Sequence, residues 1–190
     1  MKHNIPNTLT LMRIALVPVF VVFFYLEGEW TYIAATIVFM LAAVTDWFDG
    51  YLARRLNQTS AFGAFLDPVA DKFMVAVALI LLVDKNPTPY DSFYMSLAAI
   101  IIIGREITIS ALREWMAEIG ERNSVAVSII GKVKTTAQMV ALLLLIYAQP
   151  ILGLATINIG FILLYVSVAL TIWSMFDYLH AAWPKLMQED

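Results

Sequence analysis

From Asp46 to Asp71 the chain reads DWFDGYLARRLNQTSAFGAFLDPVAD. Asp46 and Asp49 are three residues apart, and Asp67 and Asp71 are four apart. On helices each pair shares a face, where like charges repel and weaken the helix that carries them. Two such pairs facing each other across a tight helix turn make sense only around cations. Carboxylate oxygens suit hard divalent ions such as Mg²⁺ or Mn²⁺. Two such ions about 4 Å apart can clamp both oxygens of an in-line displacement at phosphorus. Gly50 and Gly63 fall inside the helical pattern, where a glycine costs about 1 kcal/mol relative to alanine. They serve either close approach of a nucleotide to the backbone or close packing of the two helices. Arg54, five residues after Asp49, either neutralises a diphosphate or marks the end of its helix.

Working outward, apolar runs flank this stretch on both sides. A spanning helix needs about 20 mostly apolar residues, and six segments meet that length. They run from about Leu9 to Leu26, Thr31 to Leu52, Phe62 to Val83, Phe93 to Met116, Ile130 to Ala148 and Leu154 to Leu179. Glu27-Gly28-Glu29, Asn86-Pro87-Thr88-Pro89 and Gln149-Pro150 separate them as loops. Asn4 to Arg13, with Pro6, Asn7, Thr8 and Thr10, reads as a short N-terminal interfacial segment leading into the first span. The expectation is an all-α integral membrane protein of six transmembrane helices, forming a single domain over residues 1–190.

Composition agrees. Of the 190 residues 61% are hydrophobic and only 14% charged, against about 25% charged in a soluble domain. The net charge of −3 and the lack of a basic run argue against nucleic acid as a partner. There is no cysteine, which excludes disulfides and thiolate metal sites, and the two histidines, His3 and His180, lie near opposite ends. A bound metal is therefore a hard cation held by oxygen.

An even number of spans puts both termini on one side. Lys2, Arg13, Arg54, Arg55, Arg122 and Lys185 lie near the termini or in the 2–3 and 4–5 loops, whereas the other side offers Lys85 alone. By the positive-inside rule both termini are cytoplasmic. Counting inward from the outer loops, Asp46 is 15 residues past Thr31, or about 22 Å along a helix. Asp71, Arg105 and Lys134 come to about 20–22 Å by the same count. In a hydrocarbon core about 30 Å thick, four spans thus place ionisable groups at one depth, inside the cytoplasmic boundary. Charges at that depth must be paired or hydrated, which points to a shared cavity open to the cytoplasm.

The stretch fits D-x2-D-G-x2-A-R-x8-G-x3-D-x3-D through Asp46, Asp49, Gly50, Ala53, Arg54, Gly63, Asp67 and Asp71. This pattern resembles the motif of the CDP-alcohol phosphatidyltransferase family. The likeness extends through NIPNTLTLMRI, FGAFLDPVADK, IGREITISALREWMAE and IGKVKTTAQM, nearly the whole chain. The resemblance implies that Asp46, Asp49 and Asp67 ligate two divalent cations, Mg²⁺ or Mn²⁺. Asp71 would act as general base and also touch a metal. Asp49, Gly50, Arg54 and Gly63 would contact the CDP part of CDP-diacylglycerol. It further implies sn-glycerol 3-phosphate as acceptor, release of CMP, a homodimer, and a place in the bacterial cytoplasmic membrane with the site facing the cytoplasm.

The acceptor side can also be read from residue chemistry. Glu106, Ser110, Arg113 and Glu114 fall on one face of the fourth helix, with Arg105 at its edge. Lys134, Thr135 and Gln138 cluster on the fifth, with Lys132 just below. Arg105, Arg113, Lys132 and Lys134 carry more positive charge than a neutral alcohol needs, and a phosphate on the acceptor would use it. The plainer alternative pairs Arg105 and Arg113 with Glu106 and Glu114. Rival readings are the same chemistry on inositol phosphate, serine or phosphatidylglycerol, an ion transporter, or a structural scaffold. A transporter needs ionisable residues reaching both faces, and the outer half here is nearly free of charge. A scaffold leaves the aspartate spacing unexplained.

Overall fold

The computed structural model describes residues 5–56, 61–120, 129–151 and 153–187. Within them it forms six helices: α1 (Ile5–Tyr25), α2 (Glu29–Leu56), α3 (Ala61–Lys85), α4 (Ser92–Glu118), α5 (Ile129–Tyr147) and α6 (Thr156–Leu186). Each expected span lies within one helix or overruns it by a residue or two at a loop. The segment expected to be an interfacial lead-in is helical from Ile5 and continues without a break into α1.

Among the described residues three helices are long and apolar enough to cross a membrane, over Asn7–Tyr25, Ser92–Glu118 and Thr156–Trp183. The apolar stretches described in α2 and α5 are Glu29–Thr45 and Val133–Tyr147. α2 carries Asp46 and Asp49 in its closing turns, α3 carries Asp67, Asp71 and Lys72 in its opening turns, and α5 opens on Lys132 and Lys134.

α1 packs against α2 and α3; α5 packs against α2, α3 and α6; α4 packs against α3 and α6. Phe20, Phe39, Leu79, Leu82, Met95, Ile102, Leu142, Leu145 and Leu164 are fully buried where these helices meet. Ile80, Ile100, Ile107, Ile162, Trp173 and Phe176 point outward and are more than half exposed, the arrangement that lipid, not water, accommodates. Tyr25, Trp30, Tyr32, Tyr90 and Tyr94 lie exposed at one end of the bundle, as interfacial aromatic residues do.

The turns at that end are tight. Gly28 has φ +133°, a conformation that glycine adopts without strain, and its carbonyl accepts from both Thr31 N and Thr31 Oγ1. Asp91 caps α4 by accepting from Phe93 N at 2.8 Å. The α5–α6 pair is drawn together at Gly160, where an added Cβ would lie 3.0 Å from Leu144 Cβ and 3.2 Å from the Ala141 carbonyl oxygen. α4 and α5 pack no such way: among the described residues their Cα atoms stay more than 8 Å apart. The space between them is spanned by side chains alone.

Candidate active site

The motif helices deliver their residues to the end of the bundle opposite the Gly28 and Asp91 turns. Asp46, Asp49, Gly50 and Arg54 lie on the closing turns of α2, and Gly63, Asp67 and Asp71 on the opening turns of α3. α2 and α3 pack against each other. The side chains of Asp46, Asp49, Arg54, Asp67 and Lys132, and the surroundings of Gly50, lie outside the described residues. Gly63 is buried, and Asp71 is exposed on α3. Among the described residues no three acidic or imidazole side chains converge. The donor set that the four aspartate positions offer is all carboxylate, on two packed helices, with no cysteine in the chain. That set fits a hard oxygen-bound cation.

The cationic half is built in detail. Glu106 Oε1 accepts from Lys134 Nζ at 2.6 Å and from Arg105 Nη1 at 3.1 Å. One carboxylate oxygen from α4 thus bridges the open space to α5. Lys134 is 3% exposed and Arg105 9%, so these charges are held inside the bundle and the pair with Glu106 is what makes them tolerable. Arg105 reaches α6 through Nη2, which donates to Ser174 Oγ at 3.0 Å, and its guanidinium lies 5.5 Å from the Tyr178 ring. Arg113, two turns along α4, lies 5.1 Å from the same ring and donates from Nη2 to the Tyr178 hydroxyl at 2.8 Å. From α3, Lys72 Nζ donates to Ser110 Oγ, which donates in turn to the Glu106 carbonyl. Asp71 lies near enough to Lys134 for their charges to interact.

Arg105 of α4 and Lys134 of α5 therefore pair with Glu106, while Lys72 of α3 is held by Ser110 and Arg113 of α4 by Tyr178. Two buried atoms, Arg105 Nε and Gln138 Oε1, have no hydrogen-bond partner among the described residues. Buried polar atoms are nearly always satisfied; an anionic oxygen would satisfy Arg105 Nε and a hydroxyl would satisfy Gln138 Oε1. A groove of about 780 Å³ between α3 and α4 opens beside it. Val69, Phe73, Ile102 and Ile107 form its apolar walls, and Lys72, Glu106, Ser110 and Arg113 its polar end.

Arg105 pairs with Glu106, in line with the plainer alternative, whereas Arg113 forms no ion pair among the described residues. Glu106, Ser110, Arg113 and Glu114 share the groove face of α4. Lys134 and Gln138 are buried together on α5, while Thr135 turns outward and donates to Gly131 O. Sequence reasoning missed Lys72, Ser174 and Tyr178. Lys72, directly after Asp71 and one face away from it, was the readable one.

Fold and site together define a polytopic helical membrane protein that carries aspartates and buried bases at one end. The sequence profile of the CDP-alcohol phosphatidyltransferases matches residues 3–173, and the chain belongs to that family. It is 56% identical over 188 residues to the CDP-diacylglycerol–glycerol-3-phosphate 3-phosphatidyltransferase of Pectobacterium atrosepticum, covering 99% of this chain and 100% of that protein. The enzyme of the same name from Sodalis glossinidius is 56% identical over 182 residues, 96% of each chain. That of Shigella flexneri serotype 5b is 54% identical over 189 residues, covering 100% of both.

Proposed function

We propose that this protein transfers the phosphatidyl group of CDP-diacylglycerol to sn-glycerol 3-phosphate, forming phosphatidylglycerophosphate and releasing CMP. The observation that carries the reading is the cationic cluster of buried Arg105 and Lys134 with the more exposed Arg113, beside the aspartate motif, in a chain more than half identical to enzymes so named along its whole length. A neutral acceptor gives no reason to bury that much positive charge; a phosphate does.

In this reading Asp46, Asp49, Asp67 and Asp71 hold two divalent cations, Mg²⁺ or Mn²⁺, which when bound neutralise charge on the diphosphate. Asp49, Gly50, Arg54 and Gly63 contact the CDP part. Arg105, Arg113, Lys132 and Lys134 hold the acceptor's phosphate, which orients its free hydroxyl toward the α2–α3 aspartates. Asp71 takes the hydroxyl proton as the acceptor oxygen bonds to the β-phosphorus. The bond from that phosphorus to the CMP oxygen breaks, and CMP leaves with the electron pair. The groove between α3 and α4, apolar with a cationic end, fits the amphiphilic character of the lipid that enters or leaves. All six helices cross the bacterial cytoplasmic membrane as one domain with both termini in the cytoplasm, and the protein works as a homodimer.

The test is CMP release by the purified protein supplied with CDP-diacylglycerol, Mg²⁺ or Mn²⁺, and one acceptor at a time. Turnover is expected with glycerol 3-phosphate and not with inositol phosphate, serine or phosphatidylglycerol. Asp46→Ala, Asp49→Ala and Asp67→Ala should each abolish it. A higher kcat/KM with another acceptor would reassign the substrate, and near-normal activity of any of these variants at low metal would remove that aspartate from the ligand set.

A further inference from the structure

Two guanidinium groups brought together inside a membrane protein repel one another, and something must hold them. Arg105 and Arg113 are two turns apart on α4, and one aromatic residue of α6 touches both. The Tyr178 ring lies 5.5 Å from the Arg105 guanidinium and 5.1 Å from that of Arg113, within cation–π range of each. Its hydroxyl accepts from Arg113 Nη2 at 2.8 Å. Tyr178 is 6% exposed and is itself fixed by a small apolar cluster with Ile109, Met116 and Ala182. Glu106 and Ser174 restrain Arg105, but for Arg113 the Tyr178 hydroxyl is the polar contact found among the described residues.

We infer that Tyr178 is a positioning residue that sets the two arginines at one spacing, so that they grip a single phosphate of the acceptor together. The inference rests on the reading of Arg105 and Arg113 as acceptor-phosphate ligands. Two features make the ligand a phosphate and not merely a packed core. Arg105 is nine-tenths buried, and its Nε lacks a partner among the described residues. Arg113 keeps its guanidinium partly solvated on the groove side. An aromatic face attracts both cations without neutralising either, so their charge stays available to an incoming dianion; a carboxylate in the same place would cancel it.

The experiment measures KM for glycerol 3-phosphate, KM for CDP-diacylglycerol, kcat and detergent-solubilised Tm for Tyr178→Phe, Tyr178→Leu, Arg113→Ala and the Tyr178→Phe/Arg113→Ala pair. Tyr178→Phe removes only the hydroxyl and should raise the acceptor KM roughly ten-fold, the scale of one hydrogen bond to a charged group. Tyr178→Leu also removes the ring face and should raise it several-fold more. In both, KM for CDP-diacylglycerol and saturated kcat should stay within about two-fold. In the Arg113→Ala background, Tyr178→Phe should add little, because the hydroxyl has lost its partner. If Arg113→Ala raises the acceptor KM and Tyr178→Phe does not, the Tyr178 role is overturned and the acceptor site stands. If Arg113→Ala leaves the acceptor KM unchanged, the acceptor site itself is wrong and this role falls with it. If the tyrosine variants lower Tm and weaken both substrates equally, Tyr178 is a core residue only.

Discussion

Asp71 stands one helical turn beyond Asp67 on α3, exposed and within electrostatic reach of Lys134. In the proposed mechanism a group there meets both the reacting hydroxyl and the metal ions. Asp71→Asn keeps the shape and one oxygen but cannot take a proton. Its kcat should fall by roughly 10²–10⁴, the usual scale of general-base catalysis. Protection against thermal unfolding by CDP-diacylglycerol with metal should survive. Loss of that protection would make Asp71 chiefly a ligand, and an unchanged kcat would remove it from the chemistry. Glu106 carries a different burden, since one of its oxygens serves two cations. Glu106→Gln leaves Lys134, 3% exposed, without its charged partner, and stability should fall by roughly 2–3 kcal/mol. For a chain of this size that is roughly 5–10 °C in Tm. An unchanged Tm would mean that Lys134 is balanced from the Asp71 side. The positions of Glu106, Ser110 and Arg113 on a common face were readable from helical period alone. The partners on α6 were not: Tyr178 and Ser174 lie 65 and 69 residues along the chain from the arginines they touch, and no local pattern encodes a contact over that distance.

At the scale of elements, the apolar runs located every helix but not its ends. α2 continues through Arg54 and Arg55 to Leu56, and α6 runs to Leu186, seven residues past the expected Leu179. Hydropathy falls where charge begins, whereas arginine and lysine are good helix formers and let the helix continue. The same conflict marks α3, which the charges of its first three turns keep apart from the long apolar helices. Function, and not fold, explains that composition. Packing detail was equally hidden. Nothing in the sequence around Gly160 distinguishes it, yet α6 meets α5 there with no space for a side chain. In a membrane, close approach through small residues is a main source of helix association. Gly160→Val must push against Leu144, Leu145 and the Ala141 carbonyl, and should cost about 1–3 kcal/mol. Thermal unfolding in detergent reads this directly. Full stability of the valine variant would mean that the two helices separate there without penalty.

For the whole molecule, the site's polarity predicts its orientation. The charged groups gather at the end opposite the Gly28 and Asp91 turns, where Asp84 accepts from Tyr25 at 2.8 Å and Lys85 lies against Phe24 and Tyr25. The chain contains no cysteine, so single cysteines can be introduced without background. Pro89→Cys, in the α3–α4 turn, should react with an impermeant thiol reagent on intact spheroplasts. Glu118→Cys, at the far end of α4, should react only after the membrane is opened. The reverse pattern would invert the protein and put the site on the outer face, away from cytoplasmic glycerol 3-phosphate.

The two halves of the site also come from two halves of the chain. The aspartates stand on α2 and α3, whereas Arg105, Lys134, Ser174 and Tyr178 arrive on α4, α5 and α6. A chain is synthesised from its N-terminus, and its early elements settle first. The nascent protein therefore holds its four motif aspartates before it holds Arg105, Arg113 and Lys134. Until α6 is made, Arg105 and Arg113 have no Tyr178 beside them, and the cationic wall is incomplete. If Arg105 and Arg113 seat the acceptor's phosphate as proposed, a half-made or prematurely ended chain retains the aspartate motif yet lacks that seat. On that reading, birth order keeps unfinished copies from spending activated lipid in the membrane where they are being inserted.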